Sequence, residues 1–515
     1  MLIFYFVLAL SLSLVFTYFI RILAIKFNIV DVPDDNRKIH KKPIPLLGGL
    51  AVFLAFFAVI FLAHNRIVSE SLELRQWLGV FVGAVFLMLG GFLDDKYNLK
   101  PGWQLLWPVL AVISVIVGGV EITRISNPFG SQLLLLSSVI GSLLIFLWLM
   151  GMMYTTKLLD GVDGLVGGIT IIGALIIFLF TSTTRYFQSD IAFAAMILVA
   201  ASIGFLIFNF NPAKIFLGEG GSLFMGYILG VLAIISGGKI AIALLVMGIP
   251  ILDVAWTIIR RLAQGKNPLR FADRAHLHHK LLDLGIGPKK TVFIFYGLSL
   301  IFGLSGLFLQ SRGKFLALIF LFFVMVAIVV FLNLFKKKPR LFLHVCCAPC
   351  AAYTVAEVLR PKYDITLYFY NSNINSQEEF NRRLDGVKVL AEKYNFSLIV
   401  EPYNYGAWLK NTINLANEPE GGKRCLVCYD ERLRKTASLA KIGKFDLFGT
   451  SLTLSPFKNS ALILAMGEKI GKDFGVGFLN FDFKENDGIK KSHDFAVALN
   501  VYRQKYCGCE FSQKK

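Results

Sequence analysis

Seven cysteines carry the most specific chemical signal in the chain, and all lie in its last third: Cys346-Cys347-x-x-Cys350, Cys425-x-x-Cys428 and Cys507-x-Cys509. The first two segments offer enough thiolates for the four ligands of a 4Fe–4S cluster or a zinc ion. Adjacent Cys346 and Cys347 argue against a zinc staple, whose ligands are usually spaced. One glycine between Cys507 and Cys509 permits a tight, easily reduced disulfide, as a redox relay requires, with further metal ligation as the other reading. Before residue 340 there is no cysteine, and the chemistry changes. Asp94-Asp95-Lys96 and Asp160-Gly161-Val162-Asp163-Gly164 offer hard oxygen ligands with few neighbours, which suit Mg²⁺. Gly218-Glu219-Gly220-Gly221-Ser222 opens a helix whose N–H groups could cradle phosphate. Asp273-Arg274-x-His276-Leu277-His278-His279 adds a basic cluster. Each alone has a plainer reading, as a cap, a turn or a solvated face. Together they indicate transfer at a phosphate.

The elements that must position these residues differ between the two parts. The chain is 56% hydrophobic with a mean hydropathy of +0.63. Apolar stretches near 1–25, 48–63, 77–93, 103–120, 134–153, 168–182, 190–208, 222–236, 239–258, 291–310 and 314–335 predict a polytopic all-α membrane domain of about 11 transmembrane helices. No small-residue cleavage site follows the first stretch, so it reads as a retained helix. The net charge is +19. An eleven-span path with the N-terminus outside puts Arg37, Lys38, Lys41, Lys42, Lys96, Lys157, Arg260, Arg261, Arg270, Arg274, Lys289 and the Lys336–Arg340 run on inside connections. Few cations are left outside, as the positive-inside rule requires. This predicts a multi-pass protein of the cell inner (plasma) membrane with its C-terminal domain in the cytoplasm, where thiols stay reduced. The acid and histidine motifs all fall on inside connections. Span interiors are nearly free of charge, Asp253 being the main exception, which favours an enzyme at the membrane surface over a transporter.

The boundaries expected are a membrane domain over 1–335, a basic junction over 336–340 and a soluble domain over 341–515. Strand-like Leu341–Val345, Ile365–Tyr370 and Ser397–Val400 alternate with helix-like Ala351–Leu359 and Gln377–Tyr394, which predicts a Rossmann-like α/β domain. Cys346 and Cys347 then lie at the C-terminal end of the first strand, where such folds place their sites. A modest positive balance permits RNA binding, and Phe457, Tyr429, Tyr502 and Tyr506 could stack a base, although each is more often core.

Two resemblances follow from these motifs. Gly91-Phe92-Leu93-Asp94-Asp95, Asp160–Leu165, Pro212–Ser222 and Asp273–His279, in that order, resemble the polyprenyl-phosphate N-acetylhexosamine-1-phosphate transferases over about residues 1–330, with a histidine motif more like the WecA/TagO branch. That resemblance implies transfer of N-acetylhexosamine 1-phosphate, GlcNAc-1-phosphate on that branch, from a UDP-sugar to polyprenyl phosphate with release of UMP and with Mg²⁺ or Mn²⁺, a step of cell wall or polysaccharide biogenesis. It implies that Asp94 and Asp95 bind metal or activate the lipid phosphate, that Asp160, Asp163 and Glu219 serve the nucleotide–metal site, and that His276, His278 and His279 contact phosphate beside Arg274. Three positions depart from the family: Tyr154 and Lys157 stand where it often has Asn, and Glu219 where it often has Asp.

His344–Cys350, Gly421–Cys428, Ser455–Asn459 and Tyr502–Cys509 resemble QueH, the cobalamin-independent epoxyqueuosine reductase. This implies reduction of epoxyqueuosine to queuosine at the tRNA wobble position, a 4Fe–4S cluster on Cys346, Cys347, Cys425 and Cys428, a redox-active disulfide of Cys507 and Cys509, and an unidentified electron donor. Cys350 is left for a second iron or for exchange of roles with Cys347. Asp430, Tyr429 and Tyr502 are candidate proton donors. The expectation is thus a bifunctional chain. Its rivals are an inactive membrane anchor carrying an active reductase and an artificial fusion of two separate proteins.

Overall fold

The computed structural model describes residues 1–33, 42–64, 73–126, 133–236, 240–263, 265, 276–334 and 338–512. Asp273, Arg274 and several inside-loop cations, among them Arg37, Lys38, Lys41, Arg270, Lys336 and Lys337, lie outside the described residues. The chain forms two compact units, Met1–Lys336 and Lys337–Lys515.

Each apolar stretch of the first unit becomes helical. In order these are α1 (Leu2–Lys26), α2 (Gly48–Leu62), α3 (Leu74–Tyr97), α4 (Pro101–Val117), α5 (Ser138–Leu159), α6 (Leu165–Thr181), α7 (Ser189–Asn209), α8 (Gly218–Ile235), α9 (Ile240–Val246), α10 (Gly248–Ala263), α11 (Leu277–Asp283), α12 (Pro288–Phe308) and α13 (Ser311–Leu334). Seven are long and apolar enough to cross a membrane. The 239–258 stretch, expected as one helix, is instead the pair α9 and α10, bent by 78°, which raises the number to eight if it is one span. The break has one cause in a neighbouring helix and one in the chain itself. Gly248 abuts Leu321, whose Cδ2 would lie 2.0 Å from a Cβ there, and Pro250 lacks the N–H that would continue the ladder. Helices α2, α4 and α6 are apolar but shorter.

Burial separates the centre from the rim. The hydrophobic window of α8 is 89% buried, against 22% for α1 and 17% for α13. A helix enclosed on every side must meet its neighbours closely, and glycine allows it. A Cβ on Gly49 of α2 would stand 2.0 Å from Gly221 Cα of α8. One on Gly91 of α3 would stand 2.1 Å from Gly220 N.

The second unit is a five-stranded parallel sheet: β1 (Arg340–Val345), β2 (Asp364–Phe369), β3 (Ser397–Val400), β4 (Leu447–Thr450) and β5 (Gly477–Phe478), in the order β3-β2-β1-β4-β5. Strand β1 is buried from Leu341 to Val345, as befits a central parallel strand covered on both faces. Helix α14 (Gln377–Tyr394) matches its expected bounds. Ser376 Oγ accepts from Glu379 N at its start, and Asn395 closes it at φ 56°. The helix expected over Ala351–Leu359 is reduced to a π-type turn at Thr354–Leu359. Further helices are α15 (Tyr405–Thr412), α16 (Lys423–Ile442), α17 (Ser460–Phe474) and α18 (Gly488–Ala498). Strand order reverses between β1 and β4, so the crevice of this fold opens beyond the C-terminal end of β1.

The glycine contact predicts that Gly49→Val cannot be accommodated, because its obstacle is backbone. Overpacking of this kind costs about 1–3 kcal/mol or more. A thermal unfolding scan of the detergent-solubilised chain should show the membrane unit melting earlier, with the soluble unit unchanged.

Candidate active sites

In the membrane unit the contact of α8 with α2 and α3 brings the acids together. Asp95, at the end of α3, receives the Glu219 backbone N–H on both carboxylate oxygens, at 3.1 and 3.2 Å. Asp94 accepts from Leu99 N (2.7 Å) and Gln104 Nε2 (3.0 Å). The Gln104 Oε1 then accepts from Lys157 Nζ at 3.5 Å, and Lys157 also forms an ion pair with the Glu219 carboxylate. Asp94–Asp95, Lys157 and Glu219 thus meet through direct bonds, with Gln104 between the first two.

The turn after α5 closes the ring. Asp163 Oδ2 accepts from Asn211 Nδ2 (2.8 Å) and Ala213 N (3.0 Å), which ties the Asp160–Gly164 turn to the segment before α8. Gly164, at φ 82°, donates its N–H to Asn209 Oδ1 (3.0 Å) and accepts the Tyr296 hydroxyl at 2.5 Å. Burial pushes the Asp160 carboxyl up to about 7, with Glu219 and Asp163 adding negative charge nearby. The histidines arrive from the other side. A Cβ on Gly161 would stand 2.8 Å from His278 Nε2 and 3.5 Å from His279 Nε2. His276 Nδ1 meets Asp253 Oδ2 at 3.0 Å, and Asp253 Oδ1 accepts from Leu277 N at 2.8 Å. Neither ring nitrogen of buried His278 has a hydrogen-bond partner among the described residues. Burial, with His279 and His276 beside it, keeps this ring neutral.

In the second unit the switch-point crevice holds Cys346, Cys347 and Cys350. Ligand atoms of Cys346, Cys347 and Cys350 lie within 4.8 Å of one another, with 3.7 Å between the first two sulfurs. Cys425 and Cys428 are not in that set. They come from the first turns of α16, where Cys428 packs with Trp408 and Cys509. Arg432, one turn further along α16 and fully buried, donates to Cys428 Sγ at 3.2 Å and hydrogen-bonds Asn373. His344 braces the crevice from below. Its Nε2 donates to Tyr370 O (2.8 Å), so its Nδ1 accepts from the Thr450 hydroxyl (2.9 Å), and burial lowers its pKa to about 4. All seven cysteines are free thiols, including Cys507 and Cys509.

A strap holds the last pair. Buried Arg383 of α14 pairs with Glu379 at 2.7 Å and donates to the carbonyls of Cys507 (2.9 Å) and Tyr506 (3.1 Å). Upstream, Gln504 Nε2 contacts Cys347 Sγ at 2.8 Å and Cys350 Sγ at 3.5 Å. One segment therefore touches the first thiol set and carries the last.

Family profiles match each unit. The glycosyl transferase family 4 profile covers residues 77–237, and that of epoxyqueuosine reductase QueH covers 341–515. Over 327 residues, 62% of this chain, it is 32% identical to the probable undecaprenyl-phosphate N-acetylglucosaminyl 1-phosphate transferase of Bacillus subtilis (strain 168), of which it covers 88%. Over a further 183 residues, 34% of this chain, it is 39% identical to QueH of Streptococcus pyogenes serotype M1, of which it covers 71%. A decaprenyl-phosphate N-acetylglucosaminephosphotransferase of Mycolicibacterium smegmatis is 29% identical over 55% of the chain and 76% of that protein. The chain belongs to both families: a family 4 polyprenyl-phosphate sugar-1-phosphate transferase precedes a QueH epoxyqueuosine reductase.

The donor sets can be tested against the groups these families imply. In the QueH part three converging thiols suit a thiophilic centre. Hydrogen bonds from Cys347 and Cys350 hold the Cys346 thiol well below its usual range. Burial pushes Cys347 up, and the bond to Cys346 pushes Cys350 up to about 12. In the transferase part the carboxylates are of the right type for Mg²⁺, yet Glu219 is already engaged by Lys157. The reading of the motifs alone left Asp253 without a role, placed Arg383 and Gln504 near the thiols without a function for either, and overlooked Gln104 and Glu379. A charge inside an apolar stretch was the signal for Asp253, and the Glu379/Arg383 spacing of four for the strap.

Arg383→Gln leaves the Glu379 carboxylate buried without its cation, a loss of about 3–5 kcal/mol. Hydrogen exchange on the full-length protein should then show faster exchange across residues 502–509. Unchanged exchange there would remove the strap.

Proposed function

We propose that both parts are active, the first making a polyprenyl-linked N-acetylhexosamine, most simply N-acetylglucosamine, and the second completing queuosine in tRNA. What carries the second reading is the convergence of Cys346, Cys347 and Cys350 at the switch point, with the Cys507 loop strapped beside them. Removing the epoxide oxygen as water takes two electrons and two protons. The Cys507 and Cys509 thiols carry both and end as a disulfide, which an external donor must reduce. A 4Fe–4S cluster, held by Cys346 and Cys347 with Cys425 and Cys428, would supply single-electron steps. The proximity of Cys350 to the first two favours its exchange of roles with Cys347 or ligation of a second iron. Of the candidate proton donors, Asp430 is spent on Arg434 (2.9 Å) and the Tyr502 hydroxyl on Glu379 (2.8 Å). Burial of Tyr429 in the cluster that contains Cys346 and Cys347 favours it as the donor.

In the transferase part a lipid phosphate oxygen becomes bonded to the β-phosphorus of the UDP-sugar, the bridge to the α-phosphorus breaks, and UMP leaves. Asp94 and Asp95 face the lipid phosphate, and Asp160 and Asp163 the nucleotide. His276 is oriented by Asp253, and neutral His278 has one ring N–H to donate to phosphate. Asp160 and Asp163 are the carboxylates that a divalent cation would engage first. The path has eleven spans if α2, α4 and α6 also cross. At 1.5 Å per residue these are about 22–26 Å long, short of a core of about 30 Å. Helices α4 and α6 begin just after the Asp94–Asp95 and Asp160–Asp163 segments and α2 begins against Gly221 of α8, which recesses the site into the cytosolic leaflet, within reach of a polyprenyl phosphate. This topology leaves the QueH part in the cytoplasm with its tRNA.

Two variants separate the activities. Cys425→Ser is expected to abolish epoxyqueuosine reduction, read by tRNA nucleoside analysis, and to spare radiolabelled UMP release from UDP-GlcNAc. Asp94→Asn should do the reverse, with at least a hundredfold loss of UMP release. Either change destroying both activities would contradict independent parts, and no release with any UDP-sugar would leave the first part as an anchor.

A further inference from the structure

Two of the three departures from the transferase family, Lys157 and Glu219, are distant in sequence and meet in the structure as an ion pair. The Lys157 ammonium has a built seat. Besides the Glu219 carboxylate it has the Gln104 amide oxygen at 3.5 Å and the face of the Tyr154 ring, the third departure, at 5.6 Å from the ring centroid. Carboxylate, amide and aromatic face are what a desolvated ammonium requires. The seat is also well placed, because Gln104 holds Asp94 and the Glu219 N–H holds Asp95. The lysine and glutamate side chains are 20% and 18% exposed, so the pair is largely withdrawn from water yet open on one side.

The lengths are complementary. A glutamate carries its carboxylate one methylene further than an aspartate, towards α5, and a lysine reaches back from α5 where an asparagine could not. Asp95, Asp160 and Glu219 lie near enough to act on one another electrostatically. Such a set needs positive charge, and here the chain provides one of its own.

We propose that Lys157 is a resident cation of the transferase site, holding Glu219 in place of a divalent ion, so that this chain binds Mg²⁺ or Mn²⁺ far more weakly at this site than its carboxylates alone would. The inference rests on the transferase reading of the site. Lys157 is a positioning residue: through Gln104 and Glu219 it sets both Asp94 and Asp95. Tyr154 walls the seat where an asparagine would have offered a further metal ligand.

The test is Mn²⁺ titration of the full-length chain in detergent, following loss of the free-ion electron paramagnetic resonance signal. The double variant Lys157→Asn/Glu219→Asp is expected to bind Mn²⁺ about 10–100-fold tighter than the unmodified chain, the range over which groups touching a metal ligand alter affinity. Adding Asp160→Asn should erase the gain, which places it at this site. Lys157→Met alone, with Glu219 kept, should also bind tighter, and it serves if the double variant does not fold. Equal affinities for the unmodified chain and these variants, whether tight or weak, would overturn the proposal. Failure of the transferase reading looks different: no UMP release from any UDP-sugar by any of the variants, whatever their Mn²⁺ affinity.

Discussion

The membrane unit depends on backbone-to-backbone contact at the first turn of α8. Gly220 and Gly221 lie against Gly91 and Gly49, with no side chain between the helices. Without an apolar driving force between helices in lipid, closeness of this kind supplies the packing. It also fixes chemistry. Only because α8 starts so near the end of α3 can the Glu219 N–H reach both oxygens of Asp95, and only then does Glu219 point at α5. The acid pair of α3, the lysine of α5 and the Asp163 turn are all referred to that one helix start.

The QueH part solves its positioning problem with buried guanidinium groups. Arg432 is 2% exposed and lies against Cys428; Arg383 is 3% exposed and grips the loop of Cys507. A planar, permanently charged group with several donors can hold two partners at once in fixed geometry. Arg383 does this with a carboxylate on one side and two carbonyls on the other. Lys458 adds a third cation, kept charged by Cys507 and Cys346 although its burial favours the neutral amine. Thiols this densely packed would repel one another once ionised, and these cations offset that charge.

The motifs made the architecture legible because its signals are periodic or local. Apolar runs mark helices whatever surrounds them, so every expected membrane stretch reappears as helix. Alternating strand and helix patterns placed Cys346 and Cys347 at the end of β1. Two features were not legible. The bend at Gly248 depends on a neighbouring helix, since Leu321 belongs to α13. The closeness of the thiols depends on folding, since spacing alone does not say that Cys350 joins Cys346 and Cys347 or that Cys425 packs against the same cluster. Contacts such as Lys157 with Glu219 and Gln504 with Cys347 join residues far apart in sequence, and no local pattern announces them.

The two parts meet the same electrostatic demand, a gathering of anionic ligands away from water, with different cations, and the difference suits their reactions. In the QueH part the anion paired with Arg383 is Glu379, a buried carboxylate that stays in place. Arginine serves, because its fork makes several bonds and it does not lose its proton. In the transferase part a doubly charged phosphate group enters and leaves. A lysine places a compact charge against Glu219 without the fork geometry that several partners would demand. Arginine thus stands where one cation must hold several partners at once, and lysine where it holds a single carboxylate and keeps one side open.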